Sequence, residues 1–180
     1  MVRDEDKTLL NSGAMDDHDP LTHFDDEGSA RMVDIAAKRE TVRSAVARGR
    51  IEMAAETLAR IEAGDAAKGD VLNVARLAGI GAAKQTAQLI PLCHPVRLTR
   101  VDVSFERRPR PPTVEVTVQV AAVDRTGPEM EAVTACTAAL LTIYDMCKAM
   151  DRGMAIREVV LLSKSGGASG DWRRDDGAAR

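Results

Sequence analysis

Two segments near the middle of the chain alternate apolar and polar residues with a period of two. In "RVDVSFE", Val101, Val103 and Phe105 face one way while Asp102 and Ser104 face the other; "TVEVTVQV" repeats the pattern with Val114, Val116, Val118 and Val120. This period predicts a hairpin with one covered and one wet face. The proline-rich "ERRPRPP" between the runs reads as its loop. Elsewhere the period is helical. Residues 131–150, "EAVTACTAALLTIYDMCKAM", form the clearest helix, with no charge over 132–144. Residues 71–90, "VLNVARLAGIGAAKQTAQLI", are apolar almost all round, as in a helix buried on most sides within its own domain or against a partner subunit. Asp70 is placed to cap that helix. "AAETLARIEAG" predicts a short helix closed by Gly64. "TVRSAVARGRIEM" alternates loosely and suits a strand, although its Ala and Arg also suit a helix. "AIREVVLLSKS" predicts a final strand ending at the glycine-rich "SGGASG". Helices on one face of an antiparallel sheet make an α+β sandwich, with a ferredoxin-like arrangement expected.

Residues 1–20 are acidic, polar and without periodicity, which predicts a disordered tail. Residues 21–171 are then expected to form a single domain, and 172–180 a loose C-terminal tail. Hydrophobic residues make up 44% of the chain but aromatic ones only 2%, so the core must be built from Ala, Val, Ile, Leu and Met. No apolar run is read as reaching the roughly 18–20 residues of a membrane helix, and the opening "MVRDEDK" is no signal peptide. The odd cysteine count (Cys93, Cys136, Cys147) lacks metal-finger spacing and fits a reduced cytoplasm. Net charge is −3, yet residues 1–27 hold nine acids against Arg3 and Lys7, leaving the remainder at +4. A mildly basic body suits an anionic small molecule. It is too weak a bias for nucleic acid, and aromatic residues for base stacking are scarce.

The candidate chemistry begins at "QLIPLCHPV", where Cys93 and His94 stand between Pro91 and Pro95. The plain structural reading is a packed helix exit with a buried thiol. The two prolines fix the backbone, however, and a histidine held so firmly suits substrate binding or proton transfer. His18 and His23 fall near the acidic tail, so no metal-type cluster is expected. Asp145 and Lys148 share a helix face three residues apart. As a surface ion pair they would contribute little, but they end a long uncharged helix, and Asp near a helix C-terminus opposes the macrodipole. A partly desolvated lysine beside a carboxylate can serve as acid or base. Glu129 and Glu131 in "GPEMEA" read first as acids complementing a helix N-terminus, and second as acceptors for amino or ring N–H groups of a base. Lys68 in "AAKGD" and Lys164 in "LLSKSGG" lie at element ends. "SKSGGASG" also offers backbone N–H groups in the manner of a phosphate cradle.

In order and spacing, "KGDVLNVARLAGIGAAKQTAQLIPLCHP", "GPEMEA" and "LTIYDMCKAMDRGM" resemble the cyclic pyranopterin monophosphate synthases, the MoaC family of molybdenum cofactor biosynthesis. The resemblance runs from "LTHFDDEGSARMVDIAAK" to "LLSKSGGASGD". It implies a lyase that converts (8S)-3′,8-cyclo-7,8-dihydroguanosine 5′-triphosphate to cyclic pyranopterin monophosphate and releases pyrophosphate. It further implies a ferredoxin-like fold and a homohexamer of three dimers, with the pocket at a dimer interface. No cofactor or metal site is implied beyond Mg²⁺ accompanying the triphosphate, and neither nucleic acid nor membrane is a partner. The matching catalytic positions are Lys68, Asp145 and Lys148, with His94 close by. The matching substrate contacts are Leu92, Cys93, His94, Met130 and Glu131, joined by Arg43, Glu129 and Lys164, the cations facing the triphosphate. The wager is that these residues converge on one cavity shared by adjoining protomers. One position departs from the pattern: Ala168 stands where many relatives carry lysine. Without the resemblance, a non-catalytic ferredoxin-like oligomer that senses a nucleotide is the competing reading.

Overall fold

The computed structural model describes residues 23–25, 27–64 and 69–175; the expected acidic tail and Lys68 lie outside them. The described residues fall in two compact units, one ending at Val33 and the other beginning at Asp34. In the first, Phe24 and Ala30 form an isolated antiparallel bridge around a turn in which the Asp25 carboxylate accepts from the N–H groups of Glu27 and Ser29.

The second unit runs β1 (Thr41–Glu52), α1 (Ala55–Ala63), α2 (Val71–Leu89), β2 (Leu98–Pro109), β3 (Pro112–Asp124), α3 (Glu129–Cys147), β4 (Ala155–Ser165) and β5 (Trp172–Arg173). The sheet order is β2-β3-β1-β4-β5, with every neighbouring pair antiparallel. The first four strands therefore have the ferredoxin-like arrangement. The ambiguous "TVRSAVARGRIEM" is the strand β1, because β3 and β4 pair with it on either side. Gly64 closes α1 in the left-handed conformation (φ 70°) and the Asp70 side chain caps α2, accepting from the N–H of Asn73 at 3.0 Å, both as expected.

Three details differ from the sequence reading. The prolines of "ERRPRPP" do not make a long loop: β2 and β3 run on to a Pro109–Pro112 pair, and only Arg110 and Pro111 remain between them. Proline is tolerated there because the end of an edge hairpin needs no further ladder N–H. Trp172–Arg173, at the start of the expected loose tail, pair with Ser163 and Lys164 as a short fifth strand. Finally, α3 is long and apolar enough by length and composition to cross a membrane, and half of it is buried in this unit as a core helix.

The core lies between the sheet and α2 and α3. Alternate positions of β1 (Ala45, Ala47, Gly49, Ile51) and β3 (Val114, Val116, Val118, Val120) are buried on the helix side, against Cys136, Leu140 and Ile143 of α3. Small residues set the spacing. A Cβ at Gly49 would lie 2.7 Å from Leu140 Cδ1 and 2.8 Å from the Glu158 carbonyl, so α3 rests directly on the β1 backbone. Gly79 plays the same part between helices, where a Cβ would lie 3.1 Å from the Ala135 carbonyl. The helices run antiparallel: Leu89 and Ile90 at the end of α2 line a groove with Met130 at the start of α3, and Ala82 lines it with Thr137.

Candidate active site

At the N-terminal end of α3, several separate stretches of chain deliver polar side chains to one place. Lys164 on β4 is directly opposite Ala45 on β1, and Arg43 precedes Ala45 by two residues. Strand alternation puts both cations on the helix side of the sheet. Lys164 Nζ is 3.2 Å from the Glu129 carboxylate and 3.3 Å from the Ser169 hydroxyl. Arg43 Nε donates to the Asp124 carbonyl at 3.0 Å. From the turn that follows α2, the Cys93 thiol is 3.7 Å from the His94 carbonyl and 4.0 Å from Glu131 Oε1. Leu92, Cys93 and His94 are half-buried; Met130 is 39% exposed beside the groove between α2 and α3.

The charge states follow from burial. Glu131 is only 2% exposed, and its Oε2 has no hydrogen-bond partner. Desolvation first, and the nearby Glu129 carboxylate second, push its carboxyl up to about 7. Glu131 is thus no solvated acid complementing a helix end; it is a buried group able to hold or release a proton near neutral pH. Burial, followed by Glu131 and Glu129, also raises the Cys93 thiol, which leaves it protonated and a poor nucleophile. Among the described residues no three His, Cys, Asp or Glu side chains are grouped as a metal site.

The glycine-rich stretch forms the turn between β4 and β5. Gly166 N–H donates to the Asp171 carboxylate at 3.3 Å and Gly170 N–H to the Gly167 carbonyl at 3.3 Å. The side chains of Arg43 and Lys164 both lie against this turn. Ala168 is exposed on this turn.

The other predicted residues are at the opposite end of α3. Lys148 is its C-cap and pairs with Asp145 at 2.6 Å, the two side chains being 53% and 57% exposed. The hydrogen bond to Asp145, and then its charge, raise the Lys148 ammonium above its usual range. In one protomer, then, this pair is exposed rather than partly desolvated. Between Glu131 and Asp145 the helix advances about 21 Å at roughly 1.5 Å per residue. A single chain therefore brings Arg43, Cys93, His94, Glu129, Met130, Glu131 and Lys164 to one end of α3 and leaves Asp145 and Lys148 at the other. Lys68, four residues past Gly64, falls outside the described residues.

Sequence reasoning missed two supporting residues. Asp124 steadies Arg43 through its carbonyl and accepts the Arg97 N–H through its carboxylate at 2.9 Å. Asp151, beyond Lys148, accepts from the Ala54 N–H at 2.7 Å and from the Thr57 hydroxyl at 3.3 Å, serving as a surrogate cap for α1. The Asp124–Arg43 and Asp151–Ala54 partnerships span 81 and 97 residues of sequence, beyond the reach of any local pattern.

Comparison with known proteins places the chain in a family. The model of the MoaC family matches residues 32–167. A protein of Thermomicrobium roseum named cyclic pyranopterin monophosphate synthase is 57% identical over 160 residues, covering 89% of this chain and 96% of the relative. Proteins of the same name from Desulfitobacterium hafniense and Heliobacterium modesticaldum are 56% and 55% identical, covering 87% and 88% of this chain and 95% and 99% of their own lengths. The chain belongs to the MoaC family.

Proposed function

We propose that this chain is a cyclic pyranopterin monophosphate synthase: a lyase that rearranges (8S)-3′,8-cyclo-7,8-dihydroguanosine 5′-triphosphate into cyclic pyranopterin monophosphate and releases pyrophosphate, in molybdenum cofactor biosynthesis. The observation that carries this reading is identity of 55–57% across nearly the whole length of relatives with that name. The chemistry at the two ends of α3 supports it. Arg43 and Lys164 are cations suited to a triphosphate. Glu129 and Glu131 bring carboxyl groups to the same end of α3, the group type that accepts from the N–H edge of a base. His94, Asp145, Lys148 and Lys68 are the groups that give and take protons while rings open and close. Such a sequence of proton transfers and phosphate displacement needs no resident cofactor.

The working unit is an oligomer, a homohexamer of three dimers in the cytoplasm, and the pocket forms where two protomers meet. Two features support this. The binding residues, with His94, and the Asp145–Lys148 pair are separated along one α3 by too great a length for one small substrate to touch both. The outer faces of α2 and α3 also expose Leu89, Met130 and Leu141 around an apolar groove of about 310 Å³. Exposed apolar area of this kind marks an association surface. Because Met130 lines the groove and adjoins Glu131, a second copy seated there would bring its own residues against the binding end. Burial at that junction would desolvate the Asp145–Lys148 pair and tune it for proton transfer.

The test is turnover of the cyclised dihydro-GTP with detection of pyrophosphate. Wild-type protein should release it, whereas Lys68→Ala, Lys148→Ala and Asp145→Asn should each slow release by roughly 100-fold or more, the usual contribution of a positioned acid or base. Binding without release in the wild type, or three variants matching it, would leave only a nucleotide sensor.

A further inference from the structure

We propose that Gly167 is the seat of the Arg43 guanidinium, a positioning residue whose missing side chain lets the turn between β4 and β5 aim that cation at the phosphate-bearing end of the substrate. The inference deepens the proposed function and rests on it for the identity of the anion.

Three observations carry it. First, a Cβ on Gly167 would lie 2.2 Å from Arg43 Nη1, 2.7 Å from Cζ and 3.0 Å from Nη2. All three nearest atoms belong to one guanidinium, so the group lies against the bare Cα. Second, the other end of that guanidinium is tethered: Nε donates to the Asp124 carbonyl at 3.0 Å. The cation is thus held between a strand end and a glycine, and its remaining N–H groups take their direction from both. Third, the turn that carries Gly167 is fixed on either side. Asp171 accepts the Gly166 N–H, and Trp172 and Arg173 pair with Lys164 and Ser163. The same turn places the Ser169 hydroxyl against Lys164, so it touches both cations of the cluster.

The consequence of a side chain at Gly167 follows from what it would meet. The three atoms nearest to a methyl group there all belong to the far end of a flexible side chain. The fold accommodates it by swinging the guanidinium aside, a small structural change that removes Arg43 from its direction of aim. Gly170 supplies the contrast. It belongs to the same turn and also has a positive φ (66°), but a Cβ on it would meet nothing within 4 Å, and its N–H is committed to the Gly167 carbonyl. Alanine at either position incurs similar backbone strain; only alanine at 167 displaces Arg43.

The experiment measures kcat and KM, together with calorimetric binding of inorganic pyrophosphate, for wild type, Gly167→Ala, Gly170→Ala, Arg43→Ala and the double variant Arg43→Ala/Gly167→Ala. Gly167→Ala should raise KM and the pyrophosphate Kd by roughly tenfold with kcat within about twofold, the pattern of lost binding shared by ground and transition states. Gly170→Ala should leave both constants within about twofold at a comparable loss of Tm. In the Arg43→Ala background the Gly167 substitution should add less than about twofold, since residues acting through one another are not additive. Equal effects from the two glycine variants, or effects of Gly167→Ala and Arg43→Ala that multiply, would overturn the proposal. A wild type that binds pyrophosphate but does not turn over substrate would refute the proposed function instead, and the pyrophosphate constants would still decide the role of Gly167.

Discussion

Glu131 has a side chain of ordinary helix-forming type in an unordinary place, and its location has a measurable thermodynamic signature. Its carboxyl moves from the usual 4.5 to about 7 because burial disfavours the charged form, with Glu129 adding to the effect. A group whose folded pKa exceeds its unfolded one binds protons more readily when folded. Its contribution to stability is therefore complete below about pH 4.5 and is lost as pH rises through about 7. Glu131→Gln should remove that loss. Denaturant unfolding from pH 4 to 8 should show the variant close to wild type at the acid end and more stable at pH 8, by on the order of 2 kcal/mol. Wild type and variant curves that stay parallel across this range would contradict the assignment. The residue was legible in the sequence as a candidate, through "GPEMEA", but its burial was not. Two acids in the first turn of a helix look alike on the page, and only packing distinguishes half-buried, ion-paired Glu129 from the desolvated Glu131.

Among the elements, those with a strong period were readable: α2, α3 and the β2–β3 hairpin follow directly from their apolar spacing. β1 was legible only in part: its loose alternation suited a strand, but Ala45, Ala47 and Gly49 carry no β-branched signature and suited a helix as well. They are small because α3 lies on top of them, a tertiary requirement that overrides propensity. The cost of violating it can be measured. Gly49→Ala would place a methyl group 2.8 Å from the Glu158 carbonyl and 3.0 Å from Cys136 Sγ as well as against Leu140. The carbonyl belongs to the backbone of the neighbouring strand, so it cannot simply rotate away. Overpacking of this kind should destabilise by about 1–3 kcal/mol and lower Tm by several degrees. Thermal unfolding of Gly49→Ala indistinguishable from wild type would mean that α3 and β1 are less closely packed than described. β5 was illegible for a different reason. Two residues are too few for any period, and Trp172–Arg173 become a strand only because the edge of β4 is open to them.

At the scale of the whole molecule, the residues pointed out by sequence divide into two groups. Those expected to hold substrate gather at the start of α3, together with His94, whereas Asp145 and Lys148 cap its other end. No property of a linear sequence reveals that division, because it depends on the antiparallel course of α2 and α3 and on the length of α3. In the proposed oligomer the two groups meet across a two-fold related pair of protomers, so each pocket takes its binding end from one chain and its Asp–Lys pair from the other. Mixing two inactive variants tests this directly. His94→Ala impairs the binding end and Lys148→Ala the proton-transfer end. Each should be nearly inactive alone. In a mixed dimer, one pocket receives both defects and the other neither. Co-refolded at equal amounts, the variants should recover roughly a quarter of wild-type pyrophosphate release, the fraction of intact pockets under random pairing across a two-fold axis. A mixture that stays as inactive as its parents, despite proven subunit exchange, would show that each pocket is built within a single chain.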